Sequence, residues 1–69
     1  MITVKVIKLG DPVVEVPLNG DRTVATAVEV AGFSSENMDI KVNNVAATAG
    51  TVLNDGDRVT LVPPVKGGN

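Results

Sequence analysis

The sequence predicts an α+β domain in which a mixed sheet of four to five strands carries one helix packed across it. Three observations support this. Apolar residues alternate near both ends of the chain, Ile2, Val4 and Val6 in one segment and Val59 and Leu61 in another, which is the two-residue period of a strand with one buried face. Between them Val24, Ala27, Val28 and Ala31 recur at i, i+3, i+4 and i+7, one face of a helix. With 69 residues, no Cys and no His, the chain is a single domain that an apolar core must hold without a disulfide or a thiolate or imidazole metal site.

The first strand is expected over 2–9, where Ile2, Val4 and Val6 oppose Thr3, Lys5 and Ile7. Gly10-Asp11-Pro12 breaks it, and the β-branched run 13–18 follows at once, so the two should pair as an antiparallel hairpin. Pro17 has no N–H to give to a ladder, which puts the second strand at an edge. Asn19-Gly20-Asp21-Arg22 is turn chemistry. The helix then runs from an N-cap at Thr23 to a left-handed stop at Gly32, for about three turns. Val24, Thr26, Val28 and Val30 also alternate like a strand, but the flanking stop signals favour the helix.

Ser34-Ser35-Glu36-Asn37 is a polar connection, and a third strand spans 39–43 with Ile40 and Val42 inward. Asn43-Asn44 turns the chain into a short strand near Val45-Ala46. An irregular turn precedes Leu53, and Asn54-Asp55-Gly56-Asp57 is a tight turn, lacking the further oxygens a calcium loop needs. The last strand covers 58–63, with Val59 and Leu61 on one face and Thr60 and Val62 on the other. Placing it beside the first strand puts the two longest apolar strands at the sheet centre, where both neighbours satisfy their backbone groups. The expected core packs Val24, Ala27, Val28 and Ala31 onto Val4, Val6, Ile40, Val42, Val59 and Leu61.

Composition excludes several functions. Six Lys and Arg against eight Asp and Glu leave a net charge of −2, with the cations scattered from Lys5 to Lys66, so no concentrated basic face meets a nucleic acid. Phe33, the one aromatic residue, leaves no surface on which bases could stack. No apolar run approaches a membrane span and no signal-peptide pattern opens the chain, so a cytoplasmic protein is expected, monomeric on its own. Without Cys, His or a tunable acid–base pair, no catalytic residue, metal site or cofactor is expected, and the protein is read as a substrate of enzymes rather than as one.

The segment 51–68 carries a resemblance. Its pattern, Leu53, two residues, Gly56-Asp57, one residue, Val59, then Pro63-Pro64 and Gly67-Gly68, resembles the carboxyl end of the small sulfur-carrier proteins, the molybdopterin-synthase small subunit and the thiamine sulfur carrier. The resemblance covers about a quarter of the chain closely. It implies the β-grasp (ubiquitin-like) fold, a domain over 1–64 and a flexible tail over 65–69. It also implies that an adenylyltransferase of the ubiquitin-activating type converts the terminal glycine carboxylate into an acyl-adenylate for attack by a sulfur donor or an amine. Glycines, lacking Cβ, pass a narrow channel, and the two prolines hold the tail off the body at a reduced entropy of insertion.

Here Asn69 follows Gly68, so the Gly68 carbonyl lies in a peptide bond and cannot be adenylated as it stands. Either a processing peptidase removes Asn69, or Asn69 is an artificial addition, or the domain is a non-conjugating interaction or assembly module with an inert tail. Beside the tail, Ile7 and Val62 should face outward together with Val65, and with Pro63 and Pro64 they form the candidate docking patch for a partner enzyme. From about Val65 onward the chain is expected to be disordered, because two glycines and an asparagine bury nothing that offsets their entropy.

Overall fold

The structure, a computed structural model, describes residues 1–34 and 38–63. The expectations for Pro64, Val65, Lys66, Gly67, Gly68 and Asn69 lie outside the described residues, as does most of the polar connection, Ser35-Glu36-Asn37. Strands β1 (Ile2–Lys8) and β2 (Val14–Leu18) precede helix α1 (Val24–Ala31), and β3 (Asp39–Val42), β4 (Val45–Ala47) and β5 (Arg58–Val62) follow it. They form one five-stranded sheet in the order β2-β1-β5-β3-β4, with β1 and β5 parallel and every other pair antiparallel. The helix packs against β2 and β1.

Pro17 explains why β2 is an edge. It lies opposite Thr3, whose N–H and C=O turn away from β2, to the Asp55 carboxylate at 2.8 Å and the Gly56 N–H at 2.9 Å. Pro17 therefore sits at a position where no N–H is asked of it by β1, and its ring faces the free edge. On the other flank β1 reaches β5 in parallel, Val6 opposite Val59 and Lys8 opposite Leu61, and the four residues are in line with the helix-facing side of the sheet.

The helix stands as expected in its caps and differs in its length. The Thr23 hydroxyl accepts from the Thr26 N–H, and Gly32 takes the left-handed conformation (φ 86°) and donates its N–H to the Glu29 and Val28 carbonyls. A residue with a Cβ would be strained there. The eight residues between the expected caps make just over two turns rather than three, since each turn takes about 3.6 residues.

The buried core comprises Val4, Val6, Val16, Leu18, Val24, Ala27, Val28, Leu53, Val59 and Leu61. Val4, Val6, Val24, Ala27, Val28, Val59 and Leu61 are in the expected set; Ala31, Ile40 and Val42 are only half-buried, packed against its margin. Their exposure follows from the helix lying over β2 and β1, which leaves β3 and β4 thinly covered; Val45, on the same face of β4, is 66% exposed. Leu53, fully buried, closes the gap from the other side. Its N–H bonds the Arg22 carbonyl at 2.7 Å, while the carbonyls of Thr51 and Ala49 accept from Val24 and Ala25 at the helix start. The weakly patterned stretch before the last strand thus satisfies helix donors that would otherwise be orphaned.

Candidate functional site

Because β1 and β5 run parallel and β2 and β3 run against them, the ends of β1 and β5 and the starts of β2 and β3 share one end of the sheet. The chain leaves this end toward the Gly67-Gly68 tail, through Val62 and Pro63. Alternation with the buried Val6 and Leu61 places Ile7 and Val62 on the face away from the helix. Ile7 lies opposite Thr60, two residues before Val62, and Val62 lies opposite Asp39. Both are half-buried rather than open, whereas Pro63 is exposed.

The structure adds two residues the sequence reading did not single out. Leu9 is 75% exposed and Val13 is 52% exposed, both in the connection between β1 and β2, where the Asp11 N–H bonds the Lys8 carbonyl at 2.9 Å. A signal was available: two large apolar residues flanking Gly10-Asp11-Pro12 belong to turn chemistry with no face to fill. Together with Ile7, Val62 and Pro63 they give the tail-exit end an apolar patch, while Met1, Val45 and Val52 are exposed toward the opposite end. Lys8, on the helix-facing side, sets its Nζ 5.6 Å from the centre of the Phe33 ring, a cation–π contact that ties the end of β1 to the residue after the helix stop.

The outer face of the sheet carries exposed Lys5, Arg58 and Lys41 on β1, β5 and β3, with Lys5 directly opposite Arg58 where β5 begins and flanked by Glu15. A groove of about 400 Å³ follows the β3–β4 hairpin, lined by Met38, Asp39, Ile40, Lys41, Ala46, Ala47 and Thr48, and begins beside Val62. Among the described residues, the one with a displaced titration lies elsewhere. Asp21 is held below its ordinary value by the Thr26 hydroxyl and then by the Thr23 N–H, and it serves the start of the helix. Among the described residues, no group of three His, Cys, Asp or Glu side chains is placed to hold a metal ion, and no helix is long and apolar enough to cross a membrane.

Solved structures share this architecture. Small archaeal modifier protein 1 of H. volcanii matches with a TM-score of 0.79 at 22% identity, over 94% of this chain and 100% of that one. A second crystal structure, of SAMP1 from Haloferax volcanii, matches with a TM-score of 0.68 at 25% identity, over 96% and 99%. The ubiquitin of Caldiarchaeum subterraneum matches with a TM-score of 0.65 at 15% identity, over 97% and 98%. The fold is therefore β-grasp, and the protein is ubiquitin-like. The sequence model of the ThiS family matches residues 6–68, and the chain belongs to that family. It is a small ubiquitin-like sulfur carrier or protein modifier. Comparison with curated proteins finds no match.

Proposed function

We propose that this protein is a substrate of activating chemistry, not a catalyst, and that Gly68 becomes its reactive terminus once Asn69 is removed. The observation that carries this reading is the span of the family match, which runs through Gly67 and Gly68 and stops before Asn69. In this scheme a peptidase hydrolyses the Gly68–Asn69 bond. The freed carboxylate then attacks the α-phosphorus of ATP on an adenylyltransferase, pyrophosphate leaves, and an acyl-adenylate forms. A sulfide equivalent or a lysine amine attacks its carbonyl carbon and displaces AMP, giving a thiocarboxylate or an isopeptide. Residues 1–64 form the body that docks and 65–69 the segment that is processed and inserted.

The apolar tail-exit end supports the docking half of this reading. Leu9 and Val13 are open beside Ile7, Val62 and Pro63, and Pro64 and Val65 follow in sequence, so a partner gripping this end also receives the tail. Lys5, Arg58 and Lys41 on the adjoining face suit a partner whose rim is acidic.

The test compares two forms, one ending at Gly68 and one ending at Asn69, each incubated with a cognate adenylyltransferase and with ATP. Mass spectrometry should find the adenylate, and a thiocarboxylate or isopeptide after a sulfur donor or amine is added, on the Gly68 form alone. The added residue displaces the reactive carboxylate by up to about 3.6 Å and brings a Cβ into the channel. Equal reaction of both forms would remove the need for processing. Reaction of neither would leave an interaction module with an inert tail as the better description.

A further inference from the structure

Three dipeptides in the described residues pair an acidic or amide side chain with a following glycine or asparagine in a turn: Asn19-Gly20, Asn43-Asn44 and Asp55-Gly56. In each, the next residue's backbone nitrogen could attack the side-chain carbonyl carbon to close a five-membered ring. The fold treats them differently. At Asp55-Gly56 both reactants are engaged, since the carboxylate accepts from the Thr3 N–H at 2.8 Å and the Gly56 N–H donates to the Thr3 carbonyl at 2.9 Å. At Asn43 the side chain is held from both sides, Nδ2 donating to Asp57 Oδ1 at 3.0 Å and Oδ1 accepting from the Arg58 N–H at 3.1 Å, and the following residue bears a Cβ.

Asn19 and Gly20 have none of these restraints. Both are exposed, and no described residue bonds the Asn19 side chain or the Gly20 N–H. Gly20 sits at φ 104°, a conformation glycine holds at no steric cost, and the space where a Cβ would stand is empty. The nitrogen is thus unshielded and unengaged, and it is tethered one residue from its electrophile, the condition under which an intramolecular attack outruns any bimolecular one.

We propose that Asn19-Gly20 is a site of spontaneous covalent modification, at which the folded protein converts Asn19 through a succinimide to aspartate and isoaspartate. The Gly20 nitrogen, losing its proton to hydroxide, bonds to Asn19 Cγ. The Cγ–Nδ2 bond breaks, and the amide nitrogen leaves as ammonia after taking a proton from water. Water then opens the ring at one of its two carbonyls, giving an ordinary aspartate at this position by cleavage at Cγ, or isoaspartate by cleavage at the backbone carbonyl. No oxidant or enzyme is required. The product places a new carboxylate two residues before Asp21, which itself accepts from Thr23 N–H and the Thr26 hydroxyl at the helix start. Net charge passes from −2 to one unit more negative, and the isoaspartate branch also inserts a methylene into the link between β2 and α1.

The experiment ages the full chain at mildly alkaline pH without denaturant and follows peptides by mass spectrometry, with an unfolded sample in parallel. The folded protein should gain about 1 Da at the peptide holding Asn19 before any gain at those holding Asn43, Asn44 or Asn54, and ammonia should appear in equal amount. A protein isoaspartate methyltransferase should label the aged folded chain at that peptide. Asn19→Gln, which keeps the amide but would require a larger ring, should abolish both signals. In the unfolded sample the Asp55 peptide should also become a methyltransferase substrate, since its protection comes from Thr3. Conversion in the folded chain led by Asn43 or Asn44, or no conversion at Asn19 while the unfolded chain reacts there, would overturn the proposal.

Discussion

The two ends of the sheet are built differently. At the end where β5 begins, polar side chains stitch the strands together. The Asp55 carboxylate takes the Thr3 N–H, Asp57 takes the Asn43 amide and the Asn54 N–H, and Asn43 in turn takes the Arg58 N–H. The helix start beside it is bound by Asp21, Thr23 and Thr26. At the other end, where β5 leads into the tail, the chain offers Leu9, Val13 and Pro63 to solvent, with Ile7 and Val62 half-covered behind them. The difference teaches how so small a protein divides its work. Hydrogen bonds that fix turns gather where β5 begins, and exposed apolar residues occur at both ends, Met1, Val45 and Val52 at the first and Leu9 and Val13 at the second, so in the function proposed above what sets the second apart is its place beside the segment that follows Pro63.

The strongest test of that division leaves both ends alone and removes what joins them. Leu53→Ala or Leu61→Ala, each at a fully buried position, should cost about 2–5 kcal/mol. Denaturant unfolding should then show both ends lost in one transition at a lowered midpoint. An end that survives the other would mean that the two are separate cooperative units.

Next in size is the stitched end itself. Asn43→Ala removes a side chain bonded on both sides and leaves alanine at φ 52°, which should cost roughly 1–3 kcal/mol. Asn43→Gly relieves the backbone part and should recover some of the loss, but the Arg58 amide should exchange faster with solvent in both variants. Unchanged exchange there would show that the Asn43 bonds contribute nothing to the turn.

A smaller effect is expected at the helix start. Thr23→Ala should cost about 0.5–1 kcal/mol, because its 3.4 Å bond to the Thr26 N–H is long for a cap. Asp21 adds a pH dependence. Its carboxyl is held below the ordinary 3.8 in the folded protein, so the stability it supplies is complete above that value and is lost as pH falls through the lower folded-state value. Acid titration of the unfolding midpoint should be flatter for Asp21→Asn than for the parent chain, and an identical slope would remove Asp21 from the account.

The smallest change in stability belongs to the tail-exit end. Leu9→Ser with Val13→Ser should shift stability by less than about 0.5 kcal/mol, since neither side chain is in the core. The same pair should weaken association with the adenylyltransferase, measured by titration calorimetry. A large loss of stability would collapse the contrast between the ends, and unaltered affinity would move the docking surface elsewhere.

The sequence by itself was enough for what is local. Alternation assigned the inward faces of β1 and β5, the Thr23 and Gly32 signals bounded the helix, and Pro17 placed β2 at an edge, because each rests on residues adjacent in the chain or one turn apart. The Asn43-Asn44 turn was equally legible, since asparagine accepts the left-handed conformation that both residues adopt.

Only the tertiary structure decided which surfaces are covered. Leu53 stands in a stretch with no period, and it is buried because Arg22 and the helix start, far from it along the chain, come to meet it. Ile40 and Val42 carry the strand pattern of core residues yet stay half-exposed, because a helix of eight residues covers β2 and β1 and reaches no further. Leu9 and Val13 became a surface by the same route. Their neighbourhood with Val62 exists because β1 and β5 run parallel; the apolar pattern set the two strands side by side, but the direction of the pair is a long-range choice that no local window contains.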